Sequence, residues 1–190
     1  MAMAGRWPLH NLLLLLTGLA VLFSCCAPRL TQKELEMQYG RHAPAIVKYG
    51  AVDRLKSGQT WQVFLAAQDP DGDMKEVIFE LYQTGRGWSP AHWRRLEREE
   101  RRSFAGYFFL NTPAFWSTEL FAQKLILKCR IRDMCGHDSN LITLPLEFIG
   151  REVPQTVPEG FSEREIRSLG PIMIDVIPED NGEEKVKFLP

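Results

Sequence analysis

The sequence predicts an all-β fold, an antiparallel sandwich of about seven short strands with brief helices in its N- and C-terminal extensions. Three observations carry that prediction. Several short segments alternate apolar and polar side chains with a period of two, which places every second residue on one face of a strand. Two of the breaks between them, Asp69-Pro70-Asp71-Gly72-Asp73 and Asp133 to Asn140, are rich in residues that tolerate φ > 0 and close hairpins. Hydrophobic residues make up 45% of the chain, and Trp61, Trp88, Trp93 and Trp116 lie outside its apolar N-terminus, so a packed core can form.

Ala45 to Val52 is the first expected strand. Thr60 to Gln68 puts Trp61, Val63, Leu65 and Ala67 on one face and Gln62, Phe64, Ala66 and Gln68 on the other. Glu76 to Gln83 follows, with Val77, Phe79 and Leu81 sharing a face. Ser89 to Arg102 admits two readings. Ser89 can cap a helix with Pro90 at its first position and Trp93 and Leu96 on one side. A short strand and a charged turn would suit the surrounding sheet better. The mixed charges from Arg94 to Arg102 read as a solvated face and make a poor phosphate site. Ser103 to Asn111 is aromatic-rich and strand-like. Lys124 to Arg132 alternates most cleanly, with Leu125, Leu127, Cys129 and Ile131 inward and Lys128, Arg130 and Arg132 outward. Leu141 to Ile149 closes the set, with Ile142, Leu144, Leu146 and Phe148 inward. Pro145 on its outward side points to an edge, where a missing N–H matters little.

The N-terminus carries a different signal. Arg6 supplies a positive charge, and Leu12 to Phe23 is an apolar run of about 12 residues, long enough for a signal peptide and short of the roughly 20 needed to span a bilayer. Leu22-Phe23-Ser24-Cys25 resembles the bacterial lipobox, with Phe23 departing from the usual choice at its position. The resemblance implies cleavage after residue 24 and lipidation of Cys25. Each buried methylene contributes about 0.8 kcal/mol, so several acyl chains on one residue hold a protein to a membrane almost permanently. Residues 25–43 then read as a stalk, in which Thr31-x-x-Glu34 is a capping box and Gly40 ends a helix from Gln32 to Tyr39. Cys26 as the second mature residue favours the outer membrane, on its periplasmic or surface face, in an organism that has one.

Beyond residue 150 the composition shifts. Residues 151–190 read as a linker and tail. Ser162-x-x-Glu165 is a second capping box, and Gly170-Pro171 would end the short helix it starts. Ile172 to Ile177 is strand-like and too apolar to be left in water. Its residues Ile172, Ile174 and Val176 are candidates to add a strand to a partner's sheet; docking on their own domain is the alternative.

Removal of the leader leaves about 165 of 190 residues, enough for one domain, at 44–150, with tails. It also takes Arg6 from 23 basic residues, leaving 22 against 24 acidic ones and a net charge near −2. That balance gives no nucleic-acid footprint. With Cys25 lipidated, Cys129 and Cys135 become the natural disulfide pair in an exported chain. An extended strand between them would hold their Cα atoms beyond the roughly 7 Å a bridge allows, whereas a tight loop would bring them back, so bridged and reduced states both stand.

Asp69, Asp71 and Asp73 cluster three carboxylates in one turn. Hard oxygen ligands of this kind suit Ca²⁺, although the loop is too short for an EF-hand, and a turn without a tight metal is the alternative. Asp133 to Asn140 contains Asp, His and Ser, but neighbours in sequence are no triad, and a polar hairpin with Gly136 at φ > 0 accounts for them. The chain has no phosphate loop, nucleophile elbow or H-E-x-x-H helix. No enzyme is expected, and no cofactor is required.

Gly58, Trp61, Val63, Leu65, Ala67 and Asp69 to Asp73 together resemble the B strand and following loop of bacterial immunoglobulin-like and cadherin-like sandwich domains. Asp133-x-x-Gly136-His137-x-Ser139 is similar to their F–G turn, with His137 in place of the usual Asn. The resemblance implies an immunoglobulin-like sandwich from about Pro44 to Gly150. In calcium-binding members the ligands would fall on Asp69, Asp71 and Asp73. Such folds host many roles. The expectation is therefore a membrane-tethered, non-catalytic lipoprotein that binds or scaffolds another envelope protein. A calcium-dependent adhesion module and a carbohydrate-binding module using Trp88, Trp93 or Trp116 are the alternatives.

Overall fold

A computed structural model of the chain describes residues 30–114, 124–162 and 166–177. The chain divides into two units, Met1–Glu34 and Leu35–Pro190. In the first, the Thr31 backbone N–H and hydroxyl both donate to a Glu34 carboxylate oxygen, at 2.7 and 2.8 Å, and the Glu34 N–H returns to the hydroxyl at 3.4 Å. This is the expected capping box, and it starts α1, Gln32–Tyr39.

The second unit is a two-sheet sandwich. Its strands are β1 (Ala45–Gly50), β2 (Arg54–Leu55), β3 (Thr60–Gln68), β4 (Met74–Gln83), β5 (Gly87–Trp88), β6 (His92–Arg95), β7 (Ser103–Asn111), β8 (Lys124–Asp133), β9 (Ile142–Phe148) and β10 (Arg167–Pro171). One sheet runs β1-β3-β7-β10, and the other runs β2-β9-β8-β4, beyond which β5 and β6 both pair with β4. Of the long strands, β1, β3 and β7 share one sheet while β4, β8 and β9 share the other, which is the immunoglobulin-like division of strands. All pairs are antiparallel except β2 with β9 and β10 with β7.

Alternation explains the core. Trp61, Val63 and Leu65 of β3 are fully buried against Val77, Phe79, Leu127 and Ile131 of the facing sheet. Trp61 keeps its indole N–H satisfied by donating to the Val52 carbonyl at 2.8 Å. Phe79 and Phe108 meet edge to face, with centroids 5.0 Å apart. Pro145 lies on β9 opposite Ile126, and β2 reaches β9 only at Glu147 and Phe148. β9 is therefore flanked by β2 and is not the expected edge strand, but β2 stops short of Pro145, where the missing N–H has no strand to meet.

Residues 89–102 resolve as a strand and a charged turn, not a helix. β6 pairs with β4, and Arg98–Glu100 is a single 3-10 turn. Leu96 is buried while Trp93 is exposed, so the two do not share a face. The charge run is also less solvated than its composition implies. Glu100 is 3% exposed and is gripped by Arg94 and by Arg167 at 3.0 Å. Burial pushes its carboxyl up, but the Arg94 bonds, the Glu97 N–H and Arg167 outweigh that and hold it below the ordinary range.

The tail departs most from expectation. The second capping box extends into positions 163–165, outside the described residues, and the helix it would start gives way to β10 from Arg167. Gly170-Pro171 closes a strand, not a helix. Gly106 makes the pairing possible: a Cβ there would stand 2.5 Å from the Arg167 carbonyl. Before β10, Gln59 exchanges two hydrogen bonds with the Val153 backbone, and the Phe161 ring packs 5.9 Å from Phe64. The expected linker is thus bound across the first sheet.

Candidate functional site

One end of the sandwich gathers the acidic β3–β4 loop, the β8–β9 turn and the C-terminal end of α1. In the β3–β4 loop, Asp69 is 2% exposed and works as a scaffold. Its carboxylate accepts the Asp71 N–H at 2.9 Å and the Asp73 N–H at 3.3 Å. Asp71 turns outward and accepts the His42 N–H at 2.8 Å, with the His42 ring Nδ1 3.0 Å away. Those bonds hold its carboxyl below the usual range. Asp73 is 7% exposed, and neither of its carboxylate oxygens meets a hydrogen-bond partner. The three expected calcium ligands are therefore divided: two build the loop, and one stands apart.

The β8–β9 turn is held by its own groups. Asp133 N–H donates to the His137 carbonyl at 3.1 Å, and Gly136, at φ +91°, returns the chain. Asp133 is 1% exposed and accepts both the His137 N–H and a ring contact from His137 Nδ1, each at 2.8 Å. That ring contact pushes His137 above its ordinary value, despite an opposing effect of desolvation. Cys135 is buried, and its Sγ donates to the Gly40 carbonyl at 3.3 Å. Burial, then the charges of Asp133, Asp73, Glu36 and Asp71, push that thiol up. The Met134 N–H donates to the Asp73 carbonyl at 3.1 Å, tying turn to loop.

Asp73 is pushed up to about 7 from an ordinary 3.8, by burial first, then by Asp69 and Asp133. The sign follows from linkage: a carboxyl raised on folding favours the folded state below 3.8 and loses that contribution as pH rises to about 7. The full shift corresponds to about 4 kcal/mol, and relaxation and solvent screening reduce it to about 2 kcal/mol. With EDTA present, chemical denaturation should show stability falling between pH 4 and 7, and Asp73→Asn should flatten that slope. An unchanged slope in Asp73→Asn would assign it to other groups.

Cys129 and Cys135 are both free thiols, so of the two states left open the structure has the reduced one and not the possible disulfide. β8 stays extended from Cys129 to Asp133, so the strand itself separates them. Ile172, Ile174 and Val176 dock on their own domain, the second of the two readings, and are not a partner-binding face. They are 3%, 8% and 6% exposed within the protein's own core, and Ile172 N–H donates to the Phe109 carbonyl at 2.7 Å. The alternate residues face out instead. Met173 and Ile177, with Leu81, Trp88, Pro90 and His92, line a groove of about 490 Å³. Lys128 Nζ sits 4.2 Å above the Trp88 ring, and Trp93 is 60% exposed on β6. Cys25 and Trp116 lie outside the described residues.

The sequence reading passed over Asp133, Cys135 and His137 as a plain hairpin. Their spacing, i, i+2, i+4, was the available signal. Three metal-ligand types lie within five residues, and the turn with Gly136 at φ +91° brings them together after β8 ends at Asp133.

No family model matches the sequence, and no curated protein matches it. Solved structures match in fold alone. The CARDB domain of a Pyrococcus furiosus protein, solved in complex with di-metal ions, aligns at TM-score 0.33 and 8% identity, covering 64% of this chain and 95% of that one. The Bacillus subtilis sporulation control protein Spo0M aligns at 0.34 and 10% identity, covering 57% of this chain and 50% of that one. A PKD domain from a Thermoplasmatales archaeon M14-like peptidase aligns at 0.31 and 14% identity, covering 55% of this chain and 94% of that one.

Proposed function

We propose that the protein is a membrane-tethered, non-catalytic module that binds or scaffolds another protein of a bacterial cell envelope. The observation that carries the binding half is the groove between β5 and the docked tail. It exposes Trp88 by 49%, Met173 by 71% and Ile177 by 46%, large apolar side chains side by side on one surface. Such a patch, walled by ordered strands and by a tail anchored through Ile172, Ile174 and Val176, is preformed for an apolar partner segment. Crosslinking in cells should capture an envelope protein, and Met173→Asp should remove that crosslink while leaving the melting temperature in place. An intact crosslink in Met173→Asp would place the partner elsewhere.

The tether rests on Leu22-Phe23-Ser24-Cys25. Among the described residues no helix is long and apolar enough to cross a membrane. Lipidation of Cys25 is the anchor in this reading. Cys25→Ser should move the protein out of the membrane fraction and abolish its labelling by a fatty-acid probe. If fractionation and labelling are both unchanged, the tether is not at Cys25.

A further inference from the structure

We infer that Asp73, Asp133, Cys135 and His137 form a structural site for a single borderline divalent cation of the zinc class, clipping the β3–β4 loop to the β8–β9 turn.

The first support is donor geometry. One ligand atom from each of Asp133, Cys135 and His137 lies within 4.8 Å of the others. Carboxylate oxygen, thiolate sulfur and imidazole nitrogen are the set that zinc accepts, usually four at a time. Ca²⁺ and Mg²⁺ take oxygen ligands and have no use for a buried thiol or an imidazole. The three side chains are held by the turn itself, through the two bonds from His137 to Asp133 and the left-handed Gly136.

The second support is independent of that turn. Asp73 comes from a different loop, is 7% exposed, and has two carboxylate oxygens without a hydrogen-bond donor. Burying the Asp73 carboxylate without a donor is costly, and a neighbouring cation removes that cost. Asp73 stands outside the 4.8 Å cluster, but its loop is tied to the turn through the Met134 N–H, and a cation seated there would draw the Asp73 carboxylate in as the fourth ligand that the turn lacks.

The remaining contacts fit an outer shell. Asp69 fixes the Asp73 backbone N–H, and Glu36 Oε1 lies 3.8 Å from His137 Nε2. Binding displaces the proton between His137 Nδ1 and Asp133, and the thiol proton that Cys135 gives to the Gly40 carbonyl. Both protons leave to solvent, so the metal replaces them without any redox partner. Four protein ligands leave no open position, which makes the site a clip and not a catalyst.

The test uses the intact chain, purified in detergent and stripped with EDTA. Titration with ZnCl₂ should show one equivalent bound and a higher melting temperature. Cobalt substitution of the unmutated protein should give a thiolate-to-metal charge-transfer band, a readout that needs no variant to fold. Cys135→Ser should remove that band, and Asp73→Asn should weaken zinc about 100-fold, at the upper end of the loss seen for a mere outer-shell partner. No zinc bound, or cobalt bound without the band, overturns the proposal. Unchanged affinity in a folded Asp73→Asn variant overturns it as well. None of these outcomes bears on the groove or on Cys25.

Discussion

Leu127→Asp should unfold the protein. Leu127 is fully buried at the centre of β8, in register with Leu81 on β4 and Leu144 on β9. The substitution loses the burial of a leucine, about 1.5–3 kcal/mol. It then places a carboxyl where no donor exists, and even the neutral acid costs roughly 1–3 kcal/mol without a hydrogen bond. The ionised acid costs more. Even for the neutral acid the total, roughly 2.5–6 kcal/mol, matches the lower part of the 5–15 kcal/mol typical of a whole domain. Circular dichroism at 25 °C and a denaturant titration would show it as loss of the cooperative transition. Thr143→Asp, on the exposed side of β9, is the matched control and should shift stability by no more than about 0.5 kcal/mol. A Leu127→Asp protein that melts as the parent does would mean that β8 is turned the other way.

Deleting residues 151–190 should be nearly as damaging. The deletion strips Leu169, Ile172, Ile174 and Val176 from the core. At about 1.5–3 kcal/mol for each buried side chain the loss reaches roughly 6–12 kcal/mol, an upper estimate because the unfolded chain also buries some of that surface. It also bares the β7 edge from Gly106 to Phe109, which β10 now covers. An unpaired, aromatic-rich edge invites association with other chains. The truncated protein should therefore accumulate in the insoluble fraction, or melt far below the parent if recovered. Met173→Ser, at a position 71% exposed, should leave stability almost unchanged and separates the buried from the outward side of the same segment. A soluble truncation with the parental melting temperature would show that tail docking contributes nothing.

These two expectations mark how far the sequence is legible. β3 and β7 begin and end where alternation places them, and β4 and β8 differ by a residue or two at their ends. Their periodicity is strong because each buries one face on the same core. β2 and β5, two residues each, are invisible to any periodicity argument. Residues 89–102 stay open between helix and strand for a related reason. Helical capping and spacing are local signals, whereas pairing with β4 and burial of Glu100 against Arg94 and Arg167 come from distant parts of the chain. The tail was legible in hydrophobicity but not in destination: nothing local distinguishes an apolar segment that docks at home from one that awaits a partner.

The candidate cation site divides in the same way. Asp133, Cys135 and His137 are neighbours in the chain, and that much is legible; the turn through Gly136 and the His137 bonds to Asp133 bring their ligand atoms together. Asp73 is sixty positions away in sequence, and only the register that pairs Met74 with Asp133 brings its loop against that turn. Alternation and hairpin residues thus determined that this chain is an all-β sandwich and which side chains face inward. The tertiary structure decided which thiols stay apart, where the tail lies and which carboxylate is left buried without a donor. The reason is physical: strand patterning acts over neighbouring residues, while burial and electrostatic pairing depend on which distant strands meet.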